Sequence, residues 1–337
     1  MVSIIIPVHN TAHFLPKCLN SVLNQTLKDI EVVIINDGST DQSKEIIEEY
    51  CRVHKNIVSI DQQFSGPAIA RNKAIKKTRG SYIGFVDSDD WIEPNMFEML
   101  YQSAFENDAD VVICNFSFYR EKSDQLIKSN PPDLKDNITG EEALKFFLMQ
   151  DGITGHIWNK LYRREMLLKY EISFPVQKMH EDVIFTIKSL YHSPKVAYIP
   201  GYYYYYRIRE GSLTQAFQEE HTDAFKVLLD THSFLNNINL ISHLEFEYYF
   251  YSIRLIEFYL NNLIHAKSPG KIHFDSFKSK GKPLLIQAFK KYNYHDLISA
   301  KLIANLKLAI FNIRLYYLYS RFKIHVYALY RLLKSYS

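Results

Sequence analysis

The sequence predicts an α/β protein with a doubly wound, mostly parallel sheet, followed by a region that is helical throughout. Over the first 118 residues, short apolar runs alternate with helical patterns, as expected where helices connect parallel strands. The segments that follow several of these runs are polar, and from Phe217 onward the pattern is almost entirely helical. We therefore predict a domain boundary near Gln215, with one domain at 1–215 and a helical region at 216–337.

Each element of the first domain follows from its own pattern. Val2–Val8 is a continuous apolar run, which is typical of a strand buried on both faces, and Pro67 suits the first turn of a helix. The predicted strands are Val2–Val8, Ile30–Ile35, Ile57–Ile60, Tyr82–Val86 and Val111–Phe118. The predicted helices between and after them are Thr11–Leu23, Asp41–Tyr50, Pro67–Lys77 and Pro94–Phe105.

The second part of this domain is less regular. Glu121–Asn137 is polar and contains two adjacent prolines, which predicts an exposed loop. Gly140–Met149 is predicted as a helix, and the helix after it starts at Val183. Val196–Ile199 and Tyr202–Arg207 are predicted as a pair of strands that extend the sheet.

Composition limits the class of protein. The chain has 337 residues and a formal net charge of +3, so nothing indicates a nucleic-acid partner bound through overall charge. Cys18, Cys51 and Cys114 are far apart and have no metal-binding spacing, which predicts buried free thiols in a reducing compartment. Met1–Pro7 lacks the features of a secretory signal. The sequence contains no apolar run of about 18 residues, so we predict no transmembrane helix. We expect a cytoplasmic protein.

An acidic segment follows the predicted strand Tyr82–Val86. It reads Asp87, Ser88, Asp89 and Asp90, and ligands of parallel sheets bind outside the carboxyl ends of the strands. Carboxylates and substrate phosphates are the ligands that Mg²⁺ prefers. The alternative is an acidic turn or a cap for the next helix.

Two further segments carry polar groups that suit a nucleotide. Asn36–Asp41 closes the second predicted strand, where Asp37 could accept hydrogen bonds from a base, although Asp-Gly sequences also simply favour turns. Arg71 could make bidentate contacts with a diphosphate, or it could be a surface charge on its helix.

Taken together and in this order, these segments resemble the nucleotide-binding half of the family 2 glycosyltransferases, which have the GT-A fold. The resemblance rests on Val2–Asn10, Asn36–Asp41, Ala70–Asn72 and Asp87–Asp90. It covers residues 1–120 and extends more loosely to about 215, which implies a nucleotide-sugar-binding half at 1–120 and an acceptor half at 121–215.

The resemblance implies roles for single residues. Pro7, His9 and Asn10 would border the base, although many members have an aromatic Tyr or Phe where this sequence has His9. Asp37 would hydrogen-bond the base, Arg71 would face the diphosphate, Asp87 would lie near the ribose and donor sugar, and Asp89 would bind the metal.

A second pair of carboxylates, Glu181 and Asp182, opens the helix that continues to Tyr191. Asp182 resembles the general base of the family, which takes the proton of the acceptor hydroxyl; the alternative is a carboxylate that interacts with the helix dipole. The remaining candidate contacts to the sugar or diphosphate are Glu181, Trp158, Lys160, Arg207, Arg209 and Ser212.

These assignments predict an inverting, metal-dependent transfer from a nucleotide-diphosphate donor, by resemblance a UDP-sugar, with Mn²⁺ or Mg²⁺ as cofactor. The transferred group would be a hexosyl or N-acetylhexosaminyl unit, and the acceptor a hydroxyl of a glycan or of a lipid-linked molecule in surface polysaccharide synthesis. One alternative is a scaffold that binds a nucleotide sugar at the membrane without catalysis. The absence of GxGxxG after the first strand argues against a dinucleotide-dependent oxidoreductase, and the absence of a Gly-rich basic loop there argues against a nucleotidyltransferase.

The C-terminal region is basic. No acidic residue follows Asp296, and Lys307, Arg314 and Arg321 recur at intervals of seven. Such a helix could lie on the anionic inner face of the cell membrane. The alternative is a helix packed in a bundle with its cations pointing outward.

Overall fold

The computed structural model describes residues 1–134, 137–177, 179–208, 218–266 and 268–335, with side chains up to residue 324. Within these residues, strands and helices alternate as an α/β fold. The strands are β1 (Val2–Val8), β2 (Ile30–Asp37), β3 (Ile57–Gln62), β4 (Tyr82–Phe85), β5 (Trp91–Ile92), β6 (Val111–Arg120), β7 (Gln125–Lys128), β8 (Lys160–Arg163) and β9 (Val196–Ile208).

The helices of the first part connect these strands. They are α1 (Leu15–Leu23), α2 (Ser43–Val53), α3 (Pro67–Ile75), α4 (Met96–Asn107), α5 (Gly140–Leu148), α6 (Arg164–Lys169) and α7 (Glu181–Tyr191). Helix α1 begins four residues later than predicted, because the carbonyl of Thr11 accepts the amide protons of Phe14 and Leu15 in a preceding turn.

The described strands form one sheet in the order β3-β2-β1-β4-β8-β6-β9-β5, with β7 paired to β6 outside this path. Strands β3, β2, β1 and β4 run parallel to one another. Beyond them β8 is antiparallel to both β4 and β6, whereas β6 and β9 are parallel. The parallel part brings the carboxyl ends of β1, β2 and β4 to one edge, with β1 in the middle.

Two predicted elements differ from the structure. The region predicted as a strand pair at 196–207 is one strand, β9. Its pairing with β6 shifts register after Cys114, so within the described residues Pro200 and Gly201 have no partner in the ladder and form an irregularity within β9. The predicted loop Glu121–Asn137 contains β7, which forms an antiparallel hairpin with β6. Strand β7 is mostly exposed, so it lacks the apolar alternation that would have revealed it.

The core lies on both faces of the parallel strands. Every residue of β2 is buried, and every residue of β1 except Pro7 is buried. Glu31, a buried carboxylate of β2, accepts hydrogen bonds from the Ser3 hydroxyl and from the amide of Gly80. These bonds offset the cost of burying the charge, and they join β2 to β1 and to the turn before β4.

Residues Met1–Glu210 and Gly211–Ser337 form two compact units. The predicted boundary near Gln215 lies outside the described residues. The second unit contains α8 (Asp223–Asn237), α9 (Glu245–His265), α10 (Lys271–Ser276), the π-helical segment Phe277–Gly281, α11 (Lys282–Lys291), α12 (Ala300–Phe311) and α13 (Ile313–Ser335). In the part of the chain that is described, no helix is both long and apolar enough to cross a bilayer. The cysteines are free thiols; Cys18 and Cys114 are buried and Cys51 is half-buried.

Candidate active site

The loops that follow β1, β2 and β4 are hydrogen-bonded to one another at the carboxyl edge of the sheet. Asn10, in a left-handed conformation, donates its amide proton to the Ser39 hydroxyl and accepts the amide proton of Thr40 on its side-chain oxygen at 2.7 Å. The Thr11 hydroxyl lies 3.0 Å from that of Ser88 in the acidic loop. Three segments that are distant in sequence therefore form one continuous polar edge.

Asp37 ends β2 with its carboxylate buried under the loop that leads into α3. One carboxylate oxygen accepts the amide proton of Ser65 at 2.9 Å and the side-chain amide of Gln62 at 2.8 Å, and the other accepts the amide proton of Gly66 at 2.8 Å. Asp37 thus fixes the loop at 62–66. Its predicted hydrogen bond to a nucleobase stays a prediction.

An aromatic surface lies beside Asp37. The ring of His9 hydrogen-bonds through Nδ1 to the Asp37 carbonyl at 2.7 Å, and its centroid is 4.3 Å from that of Phe64. Phe64 is 64% exposed, which is unusual for so large an apolar side chain. Sequence reasoning missed Phe64, although an aromatic residue just before Ser65 and Gly66 was a usable signal. Pro7, in β1, is half-buried, and its predicted contact with a base stays a prediction.

Arg71, on α3, forms ion pairs with carboxylates from two other elements. One guanidinium nitrogen lies 2.8 Å from Asp87 after β4, and the other lies 2.7 Å from Glu181 at the start of α7. The Arg71 side chain is 7% exposed. Burial opposes its charge, but these two carboxylates together raise its pKa above the ordinary value. Its buried Nε has no hydrogen-bond partner among the described residues.

Asp182 follows Glu181 on the first turn of α7, and 26% of its side chain is exposed. Burial, with the neighbouring charge of Glu181, raises the pKa of Asp182 to about 7. Its carboxylate lies 4.0 Å from Nδ1 of His156. A carboxylate with a pKa near neutral and an open side can accept a proton at physiological pH.

His156 belongs to an aromatic stack behind Asp182. Its ring lies parallel to that of Trp158 at 4.6 Å, and Trp158 lies parallel to Tyr204 at 4.2 Å. Trp158 itself is 3% exposed. The ring of the stack that lies next to Asp182 is that of His156, whose side chain is 37% exposed. His156 was not among the predicted residues, and no motif marks it apart from its place two residues before Trp158.

Lys160 is fully buried beneath this stack. Its ammonium group donates to the carbonyls of Thr154 and His156 and to the side-chain oxygen of Asn159 at 2.9 Å. Burial lowers the pKa of Lys160 to about 7. The structure therefore gives Lys160 the role of holding the loop at 154–159, and its predicted contact with a sugar or diphosphate stays a prediction.

Arg207, near the end of β9, is hydrogen-bonded to the acidic loop at 87–90. Its backbone amide donates to the Asp90 carboxylate at 2.7 Å, and its guanidinium donates to the Asp89 carbonyl at 2.8 Å and pairs with Glu121 at 2.9 Å. Tyr204 donates its hydroxyl to the other Asp90 oxygen at 2.7 Å. Burial, with the charges of Asp89 and Asp87, raises the pKa of Asp90 well above its usual range. These bonds make Asp90 and Arg207 structural supports of the loop.

The acidic loop suits a divalent cation that is shared with substrate phosphates. No group of three or more His, Cys, Asp or Glu side chains with metal-binding geometry occurs within the described residues. Mg²⁺, however, usually takes only one or two carboxylates and completes its shell with phosphate oxygens and waters. Asp89, half-exposed beside Asp87, provides such a carboxylate. The donor set therefore fits a cation that is bound together with a diphosphate.

Seven of the twelve predicted site residues that the structure describes lie in two neighbouring groups. His9, Asn10 and Asp37 form the first, and Arg71, Asp87, Glu181 and Asp182 form the second, joined through the contacts at the carboxyl edge and through α3. Asp89 lies in the acidic loop that contributes to both groups. Arg209 and Ser212 lie outside the described residues.

Comparisons with known proteins find relatives of this sequence and of this fold. A family model described as glycosyl transferase family 2 matches residues 3–170. EpsH of Bacillus subtilis (strain 168), provisionally assigned as a glycosyltransferase, is 34% identical over 235 residues, covering 69% of this chain and 68% of EpsH. The poly(ribitol-phosphate) beta-glucosyltransferase of Bacillus spizizenii is 31% identical over 215 residues, covering 62% of this chain but 32% of that enzyme.

A crystal structure of residues 1–349 of S. aureus TarS in complex with UDP-GlcNAc has the same fold. The TM-score is 0.72 at 22% identity, and the superposition covers 95% of this chain and 89% of that chain. The predicted α/β fold of the GT-A type is thereby confirmed.

Proposed function

Because this chain belongs to glycosyl transferase family 2, we propose that it transfers a sugar from a nucleotide-diphosphate donor to an acceptor hydroxyl with inversion of the anomeric carbon. The donor we propose is a UDP-sugar that carries a hexose or an N-acetylhexosamine. The likeness to TarS, which was crystallised with UDP-GlcNAc, supports this choice. The stacking surface of His9 and Phe64 beside Asp37 supports a planar base at that position.

The observation that carries the proposal is the charge cluster around Arg71. A buried guanidinium pairs with Asp87 and with Glu181, and Asp182 follows Glu181 directly. The pairs link the acidic loop after β4 to the start of α7 across one crevice. This arrangement supports a donor diphosphate at one side of the crevice and a proton acceptor at the other.

The chemistry follows from these positions. Asp182 takes the proton of the acceptor hydroxyl, and the acceptor oxygen attacks the anomeric carbon while the bond to the diphosphate breaks on the opposite face. Arg71 stabilises the negative charge that develops on the leaving diphosphate. A divalent cation on Asp89 would neutralise the same charge. A single displacement inverts the anomeric centre and needs no covalent enzyme intermediate.

We further propose that separate segments of the chain bind the nucleotide and the acceptor. Residues 1–120 bind the nucleotide, residues 121–215 provide the base and the acceptor contacts, and residues 216–337 form a separate helical region. The acceptor in this proposal is a glycan or a lipid-linked molecule of surface polysaccharide synthesis. The relative from Bacillus spizizenii, which by its name modifies poly(ribitol-phosphate), supports an acceptor of that class.

A donor screen tests the proposal. Purified protein is incubated with UDP-, GDP-, ADP- and CMP-sugars, each with Mn²⁺, Mg²⁺ or EDTA, and released nucleotide is measured. We expect release of UDP that depends on the metal, and an acceptor product whose anomeric configuration by NMR is opposite to that of the donor. Equal release in EDTA would contradict the metal dependence, and a product with retained configuration would contradict the direct displacement.

A further inference from the structure

The C-terminal unit contains a cavity of about 830 Å³, within the size range of small-molecule binding sites. It is formed by the π-helical segment Phe277–Gly281, by α11 and by the junction between α12 and α13. Its lining includes Lys278, Lys282, Lys290, Phe311 and Arg314.

Positive charge is concentrated in this cavity. Lys278, Lys282, Lys290 and Arg314 all line it, and no aspartate or glutamate is among its lining residues. Within the described residues, none of these four cations lies within 4.0 Å of a carboxylate, in contrast to the neighbouring Lys291, which pairs with Glu245. Four like charges around one opening without acidic partners attract anions.

Apart from Gln287 and Asn312, the rest of the lining is apolar, and further exposed apolar side chains follow it along the chain. Phe311, at the end of α12, lines the cavity and is 78% exposed. On α13, Leu315, Leu318 and Phe322 are spaced three and four residues apart, so they share one helix face, and they are 45%, 63% and 68% exposed. Exposed apolar surface of this extent beside a basic patch marks an interaction site.

The exposed apolar side chains of α12 and α13 are not the ones that pack within this unit. Ile303, Leu306 and Ala309 on α12 are buried, as are Ile313 and Tyr316 on α13. The two helices therefore have an apolar face inside the unit and a second apolar surface outside it. Packing as a bundle accounts for the first face and leaves the second one to a partner.

We propose that the cavity binds the phosphate-bearing headgroup of an anionic membrane phospholipid, while Phe311, Leu315, Leu318 and Phe322 enter the boundary between headgroups and acyl chains. Basic residues next to exposed Phe and Leu are the combination by which amphipathic helices bind anionic membrane surfaces. The four cations match the phosphate, and the apolar walls match the glycerol and the upper acyl chain. The inference is independent of the glycosyl transfer proposed above.

Vesicle flotation with the full-length chain tests this site. We expect the protein to float with vesicles containing phosphatidylglycerol and to stay behind with pure phosphatidylcholine. The double substitution Lys282→Glu and Lys290→Glu should weaken binding at least about tenfold, because each basic residue near the surface contributes substantially to attraction. Far-UV circular dichroism shows whether the variant keeps its helices.

Matched control variants distinguish binding by the cavity from a general effect of net charge or of exposed apolar side chains. The pair Lys76→Glu and Lys77→Glu makes the same charge change at exposed positions outside the cavity and should leave binding within about twofold. Phe311→Ser should weaken binding, whereas Phe105→Ser, at a phenylalanine that is 77% exposed in the other unit, should not. Equal losses in both members of either pair, wild-type binding by the cavity variant, or no vesicle binding by the wild type would each overturn the proposal.

Discussion

At Arg71, one buried guanidinium contacts carboxylates that are 16 and 110 residues away in sequence. Only the folded chain brings Asp87 and Glu181 together across this guanidinium, and its single positive charge offsets part of their negative charge. Such a residue determines both the stability of the crevice and the charge state of its neighbours. The consequences can be measured separately.

Replacing Arg71 with methionine should destabilise the protein strongly. Removing one partner of a buried ion pair typically costs about 3–5 kcal/mol, because the remaining charges stay buried without compensation. The measurement is the free energy of unfolding in urea. Arg79→Lys is the control, since Arg79 is 70% exposed and lysine keeps the positive charge near Glu31; this substitution should cost no more than about 1 kcal/mol. A loss of stability at Arg71 as small as that of the control would contradict the assigned role.

The pKa of Asp182 predicts the pH dependence of the reaction. Burial and the charge of Glu181 raise this pKa to about 7, so the carboxylate is protonated, and inactive as a base, below that pH. On the acidic limb of the pH profile, we expect kcat/KM to rise with pH through an apparent pKa near 7 and then to level off. A rate that stays constant from pH 5 to pH 8 would exclude Asp182 as the titrating base.

Glu181→Gln should move this limb to lower pH. Burial makes the largest contribution to the raised pKa of Asp182, and the charge of Glu181 is the next largest; removing that charge therefore lowers the pKa. The measurement is the pH profile of kcat/KM for the variant and for Glu165→Gln, an exposed glutamate on α6 that serves as control. The control should keep the wild-type profile, and an unchanged profile in Glu181→Gln would show that the two carboxylates do not interact.

At the scale of elements, the sequence predicted best where burial is complete. The predicted starts of β1, β2 and β4 agree with the structure, because these strands are buried and are therefore continuous apolar runs bounded by polar residues. The predicted start of β3 also agrees, although that strand is mostly exposed or half-buried. The hairpin strand β7 and the unbroken β9 were not predicted. Strand β7 pairs at an exposed edge, and β9 passes a proline and a glycine that normally end a strand, so in both cases tertiary pairing overrides the local signal.

The cap of α5 offers a test at this scale. The Thr139 hydroxyl accepts the amide proton of Glu142 at 3.2 Å, and the Glu142 carboxylate accepts that of Thr139 at 2.8 Å, which forms a capping box. Thr139→Ala should cost about 1 kcal/mol of unfolding free energy, whereas Thr139→Ser should cost a few tenths at most. The cap makes no contact with Arg71 or Asp182, so kcat/KM should stay within about twofold; a change of tenfold would show that α5 positions the site.

At the scale of the whole molecule, the described residues that are proposed to bind the donor lie in the first of the two compact units. Sequence motifs identified most of them, because short segments at the ends of parallel strands meet at one edge of the sheet. The sequence did not reveal His156 or Phe64, whose positions depend on the stacking of rings from distant segments. It also could not show that Lys160 and Arg207 donate most of their hydrogen bonds to the protein itself.

Donor binding should therefore protect one unit from hydrogen exchange. In the presence of UDP and Mn²⁺, we expect slower amide exchange in the loops after β1, β2 and β4 and at the start of α7. Exchange in α8, α9 and α11 should stay unchanged, because no proposed donor contact lies there. The measurement is hydrogen–deuterium exchange by mass spectrometry with Mn²⁺ present in both samples. Protection concentrated in the helices of the second unit would contradict the proposed location of the donor.

The most direct test of the proposed mechanism is the substitution Asp182→Asn, measured for both turnover and nucleotide affinity with the donor and acceptor that give the highest rate in the screen. Losing the general base should lower kcat by about 10²–10⁴-fold, while the Kd for UDP by calorimetry should stay within about twofold. Asp151→Asn, at an exposed aspartate in the loop after α5, should leave both quantities unchanged. Turnover by Asp182→Asn within about threefold of the wild type would show that Asp182 is not the base.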